Sequence, residues 1–174
     1  RQGPFFTWWA WRKQIPAEIQ VLRKGHYFIG RTDWDKFNVQ TLNPNACYFH
    51  GDEVLRPVFY TYPTRTATNT TLVLLVSRAT PLKGITIFFD ALAILRKWGI
   101  HCKSRIFGRF NSNDGLGAIL LKRIHNLNLD GCVELIGLQS DENVAKEMAE
   151  ATIYVHPSFI DNSPNSVCEA MLIG

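Results

Sequence analysis

Near its end the sequence places two carboxylates, Asp161 and Glu169, with seven residues between them, and a proline, Pro164, inside that interval. Ile153 to Val155 is β-branched and aromatic enough to be a buried strand, and His156-Pro157 ends it. Asn162-Ser163-Pro164 then reads as a helix start, a capping residue with proline in the first turn. A strand therefore leads through a short loop into a helix whose free N–H groups and dipole suit an anion such as phosphate. Asn165, Ser166 and Val167 are the expected donors. Glu169 falls on the same helix face one turn deeper, where a carboxylate would repel a phosphate but accept hydrogen bonds from the hydroxyls of a ribose. The plainer alternative makes Asp161 and Asn162 helix caps and Glu169 a solvated surface residue.

Two cations occupy a comparable place upstream. Leu72 to Val76 is a continuous apolar run, expected of a strand covered on both faces. Arg78 and Lys83 lie in the loop that follows, ahead of a helix expected from about Gly84 to Trp98. That helix has an apolar stripe at Ile85, Phe88, Phe89, Leu92, Ile94 and Leu95. On this pattern alone, Arg78 and Lys83 are ordinary solvated loop residues.

The elements between these loops repeat a strand-helix rhythm. Ser104 to Phe107 is a strand closed by Gly108, and Leu116 to Leu127 is a helix with Leu116, Ile119, Leu120, Ile124 and Leu127 apolar. Cys132 to Ile136 is a strand followed by Gly137, and Asp141 to Glu150 is a helix with Val144, Met148 and Ala149 inward. The alternation predicts a parallel sheet with crossover helices, an α/β architecture. Ligands of such sheets lie outside the carboxyl ends of the strands, where Gly108 and Gly137 turn the chain. Upstream, the expected elements are a helix from Gln14 to Lys24 with Pro16 near its start, a strand at His26 to Ile29, a helix at Asp33 to Leu42 and a strand at Ala46 to Phe49. Tyr60 to Thr71, threonine-rich and containing Pro63, is the expected connection between domains.

The segment from Asp161 to Gly174 resembles the C-terminal signature of GT-B glycosyltransferases of the large retaining family 4: an acidic residue, seven residues, a glutamate, then Ala170 and a closing Gly174. The family's first acidic residue is usually Glu, and Asp161 is one methylene shorter. Leu72 to Gly99 is similar to the family's strand, cationic loop and helix. Gly30-Arg31-Thr32-Asp33-Trp34-Asp35 resembles a segment late in the N-terminal domain of a bacterial subset.

The resemblance implies a Rossmann-like doubly wound parallel sheet, the GT-B C-terminal domain, preceded by part of a second α/β domain. Residues 1–62 would be the end of the acceptor-side domain with its linker, and 63–174 the nucleotide-sugar-binding domain. It implies a hexosyltransferase that moves a sugar from a UDP- or GDP-linked donor to a glycan, lipid-linked sugar or similar acceptor, with retention and without a metal or other cofactor. Arg78 and Lys83 would hold the diphosphate, whose charge grows as the glycosidic bond breaks. Asp161 would meet the sugar hydroxyls and Glu169 the ribose. Asn162, Ser163, Pro164, Asn165, Ser166, Val167, Gly108 and Gly137 would line the donor pocket. A GT-B nucleotide-sugar epimerase and a non-catalytic nucleotide-sugar-binding module are the alternatives.

Other patterns point less far. Asp33-Trp34-Asp35 has the spacing of a metal-bound nucleotide site, but Thr32 and Asp33 fit a helix N-terminus, the preferred reading. Cys47, Cys102, Cys132 and Cys168 lack metal-ligand spacing and are expected to be reduced core thiols of a cytoplasmic protein. His156 lies nearest the proposed site and is read as structural. The aromatic run from Phe5 to Trp11, followed by Arg12-Lys13, is expected to pack within the N-terminal domain, with peripheral association at the inner face of the membrane left open. A net charge of +4, scattered among loops, does not build a nucleic-acid groove. With 174 residues and 46% hydrophobic content, the chain can bury one good core and part of a second, and it is read as a fragment.

Overall fold

A computed structural model describes residues 4–63, 71–78, 80–109 and 115–174. They fall into two compact units, Arg1–Val54 and Leu55–Gly174.

The first unit consists of α1 (Pro4–Lys24), β1 (Tyr27–Gly30), α2 (Asp33–Leu42) and β2 (Cys47–His50). α1 starts ten residues before the expected Gln14, so Pro16 lies inside the helix rather than in its first turn. β1 and β2 pair in parallel, from Tyr27 opposite Cys47 to Gly30 opposite His50. α2 matches its expected bounds because its cap is complete. The Thr32 hydroxyl accepts the Asp35 N–H at 3.2 Å, and the Asp35 carboxylate accepts the N–H groups of Thr32 at 3.2 Å and Arg31 at 3.1 Å. The capping reading of Asp33-Trp34-Asp35 therefore holds, with the Asp35 carboxylate engaged by backbone donors.

The second unit consists of α3 (Pro57–Thr61), β3 (Thr71–Arg78), α4 (Ile85–Lys97), β4 (Lys103–Arg109), α5 (Gly115–Asn126), β5 (Val133–Gly137), α6 (Asp141–Glu150), β6 (Ile153–Val155) and α7 (Asn165–Ile173). Its four strands are parallel, in the order β5-β4-β3-β6. From β3 the chain builds outward through β4 and β5, then crosses back to place β6 on the other side of β3. The direction of winding thus reverses between β3 and β6.

Both faces of the sheet are covered. Ile85, Phe88, Phe89 and Leu92 of α4 pack with Ile106, Leu120, Ile124 and Leu129 on one face. Phe59 of α3, Val144, Ala145, Met148 and Ala149 of α6, and Ile173 of α7 pack with Phe107 and Ala151 on the other. Ile106 and Phe107 are adjacent in β4 and serve opposite cores, as the two-residue period of a strand requires. Arg123 Nη2 lies 2.6 and 2.7 Å from the two Asp90 oxygens, linking α5 to α4.

Several boundaries differ from expectation. The compact units divide after Val54, upstream of the expected boundary at 62/63, because α3 packs with α6 and α7. Ser77 and Arg78 close β3 rather than standing in the loop, since pairing with β4 continues through an irregularity to Arg78 opposite Arg109. Gly108 is inside β4 for the same reason. Ile94 and Ile119 are 47% and 60% exposed rather than in the core. Ile94 lies about 200° around the helix from Leu92, outside the buried stripe. Cys47 and Cys168 are exposed and Cys102 and Cys132 half-buried, so the thiols are free but not core groups.

Candidate functional site

The winding reverses between β3 and β6 at the carboxyl edge of the sheet, the usual ligand position of such folds. The two flanking loops are joined there. After β3 comes a 3-10 turn, Pro81–Lys83, then Gly84 in the left-handed region at φ 67°. A Cβ at Gly84 would collide with the Pro157 carbonyl oxygen, so this close approach of the loops requires glycine. The Phe159 N–H donates to the Leu82 carbonyl at 3.0 Å. Lys83 Nζ lies 2.6 Å from Asp161 Oδ2.

That ion pair joins two residues separated by 78 positions in the chain. Burial alone would raise the Asp161 pKa, but the hydrogen bond and charge of Lys83, helped by His156, bring it below the usual 3.8. His156 Nε2 is 3.2 Å from the same Asp161 oxygen. Lys83 spends one ammonium proton on Asp161, leaving others for an anionic ligand. Tyr154, at the centre of β6, donates its hydroxyl to Ser166 Oγ at 2.8 Å, fixing the first turn of α7 against the strand. Burial pushes this phenol up to about 12 despite the bond to Ser166, so it is a donor at neutral pH.

α7 starts one residue later than the sequence suggests. Pro164 is its N-cap and makes no side-chain capping bond, and Ser163 takes a left-handed conformation at φ 57°. Asp161 is thus paired with Lys83 rather than acting as a cap. Of the three donors expected at this terminus, the Val167 N–H is already bonded to the Pro164 carbonyl at 3.0 Å. Asn165 and Ser166 stand at the mouth of the helix, and Asn162 is exposed in the loop before it.

Glu169 is neither solvated nor free. It is 2% exposed, and Arg56 grips both its oxygens, Nε to Oε1 at 2.8 Å and Nη2 to Oε2 at 2.7 Å. Arg56, just ahead of α3, had no local signal in the sequence, because its partner is 113 residues away. His156 was visible at the strand end, but its approach to Asp161 required the folded loop.

The remaining expected residues are spread along the same edge. Arg78 is the last residue of β3, directly before the loop that carries Lys83. Gly108 is buried near the end of the neighbouring strand β4, at φ 149°. Gly137 ends β5, two strands from β3, with φ 84° and open space where a Cβ would be. Its glycine character thus answers to backbone conformation rather than crowding. Among the described residues, no group of three or more His, Cys, Asp or Glu side chains could hold a metal ion.

Residues 63–174 match the family described as glycosyl transferases group 1. The chain belongs to this family. Within glycosyl transferases group 1, it is 30% identical over 108 residues to the amylovoran biosynthesis glycosyltransferase AmsK of Erwinia amylovora, covering 59% of this chain and 26% of that protein. The chain therefore spans about a quarter of that relative's length. Its fold is also that of solved GT-B glycosyltransferases. Sucrose-phosphate synthase from Thermosynechococcus elongatus superposes with a TM-score of 0.76 at 18% identity, over 94% of this chain and 42% of that one. A mutant of S. aureus TarM in complex with Fondaparinux, alpha-GlcNAc-glycerol and UDP gives 0.74 at 19%, over 92% and 31%. Anabaena Alr3699/HepE in complex with UDP and glucose gives 0.75 at 17%, over 92% and 46%. At these identities the likeness speaks for the fold. No helix among the described residues is long and apolar enough to cross a membrane.

Proposed function

We propose that this chain is the donor-binding part of a retaining family 4 glycosyltransferase that transfers a hexosyl group from a nucleoside-diphosphate sugar to a sugar or lipid-linked acceptor. The observation that carries the reading is the Lys83–Asp161 pair, 2.6 Å apart between the loops that follow β3 and β6, where the winding of the sheet reverses. Family membership supports glycosyl transfer, and the UDP bound in the TarM and HepE complexes supports a UDP-linked donor. Leu55–Gly174 is read as the donor side and Arg1–Val54 as the end of the acceptor-side domain.

In this reading Lys83 offers its unspent N–H donors to the diphosphate, and Arg78 at the end of β3 is assigned to the same group. Both cations oppose a charge that grows as the bond to the sugar breaks, so their benefit is larger in the transition state than in the ground state. Asp161 is held ionised and accepts hydrogen bonds from the sugar hydroxyls. The first turn of α7 adds the favourable potential of a helix N-terminus. The proton of the acceptor passes to the leaving phosphate on the same face, so no protein base is required. Protein cations take the place of a metal at the leaving group.

The test is product formation by the complete protein from a panel of UDP- and GDP-linked hexoses. Arg78→Ala combined with Lys83→Ala is expected to lower kcat more than it raises KM for the donor, by roughly a hundredfold or more in kcat/KM if each cation contributes as a charged hydrogen bond does. Unchanged turnover in the double variant would remove both residues from the chemistry. A wild-type protein that makes no product from any donor would sink the transferase reading.

A further inference from the structure

Glu169, the carboxylate read above as the ribose holder, is enclosed, and both oxygens are engaged before any ligand arrives. Arg56 meets it with the two-pronged fork that fixes the plane of a carboxylate as well as its position. The guanidinium is itself held from other sides. Nη1 lies 2.6 Å from Asp141 Oδ1 in the first turn of α6, and the Phe59 ring lies against it with its centroid 4.6 Å from Cζ. One cation thus joins the start of α3, the start of α6 and the interior face of α7.

Arginine keeps its charge at any working pH, so the same planar fork is presented to the carboxylate throughout. The fork occupies one acceptor direction on each oxygen, so a ligand hydroxyl can be met only at the lone pairs that remain, in an orientation set by the guanidinium. A freely rotating glutamate would lose rotamer entropy when it bound, whereas one already clamped has less to lose.

We propose that Arg56 is a positioning residue for nucleotide binding, which holds Glu169 in one orientation so that its unused lone pairs meet the ribose hydroxyls in one geometry. The proposal rests on the reading of Glu169 as the ribose contact. Arg56 touches no ligand and acts only through Glu169. Lysine is a poor replacement, since it supplies charge without the planar fork.

The test uses two probes on the full chain, UDP and inorganic diphosphate, which lacks a ribose, with binding followed by calorimetry beside thermal melts. Arg56→Lys is expected to weaken UDP binding by roughly tenfold, about the value of one charged hydrogen bond, while leaving diphosphate binding unchanged. Arg56→Ala should do the same more strongly, and if it fails to fold, Arg56→Lys alone decides. Glu169→Gln should reproduce the UDP loss and add little on top of Arg56→Lys. UDP affinity lost in Glu169→Gln but kept in Arg56→Lys overturns the positioning role and leaves the ribose reading standing. UDP affinity kept in both variants overturns the ribose reading and the proposal with it, as does a wild-type chain that binds neither UDP nor GDP. Equal losses for both probes reduce Arg56 to a structural brace.

Discussion

At the scale of single residues, Asp161 links electrostatics to stability. Its carboxyl is shifted below 3.8 in the folded chain, chiefly because Lys83 and His156 outweigh the effect of burial. A depressed folded pKa contributes stability that is present above the unfolded value and is lost as pH falls through the folded one. The Lys83 and Asp161 side chains are 29% and 23% exposed, so solvent screening keeps the pair within roughly 0.2–1 kcal/mol. Asp161→Asn should therefore lower stability by that amount near pH 7, and the gap to wild type should close at about pH 2. Urea unfolding at both pH values checks this, and a gap that persists in acid would assign the cost to something other than ionisation. The loss of donor affinity in this variant should exceed its loss of stability, because the same carboxylate is proposed to meet the sugar.

At the scale of elements, two loops meet because one position has no side chain. Gly84→Ala would force a methyl group into the Pro157 carbonyl and hold a non-glycine residue at φ 67°. The conformational strain alone is of order 1–3 kcal/mol. The variant is expected to unfold earlier and to lose donor binding; melting and binding curves identical to wild type would show that the loops can part at no cost. How much of this was legible in the sequence depends on range. The buried face of α4 and the bounds of α2 and α6 could be read because stripes and caps are local, within one or two helical turns. α3 was missed because it is five residues long, starts at a proline and is too short to show a period. The residue types around the site were also readable, whereas their pairings were not. Lys83 with Asp161 and Arg56 with Glu169 join distant residues, and no local pattern encodes such partners. The burial of Glu169 was hidden for that reason: its counter-charge lies at the far end of the unit.

At the scale of the whole molecule, the described side chains of the two units differ in how much they bury. The second has a core on each face of its sheet. In the first, Val39 and Ala46 are the buried apolar residues among those described, and Tyr27, Ile29, Phe49 and Val54 are 54% to 84% exposed. Local opening free energies follow buried contact, so amide exchange should be slowest in β3, β4 and α4 and markedly faster in β1 and β2. Equal protection across both units would contradict this ranking.

The long span between Arg56 and Glu169 has a further consequence for how the unit is assembled and divided. Closing a loop of 113 residues carries a conformational cost that shorter contacts avoid, so this pair is expected to form late, as a clasp over an already collapsed sheet. A clasp of this kind defines where the unit can be cut. The family match starts at residue 63, seven positions past Arg56. A piece trimmed to that start keeps every strand of the larger sheet yet strands Glu169 in the interior without its cation. Breaking a buried pair in this way costs about 3–5 kcal/mol. A piece spanning 55–174 should therefore outlast one spanning 63–174 under protease.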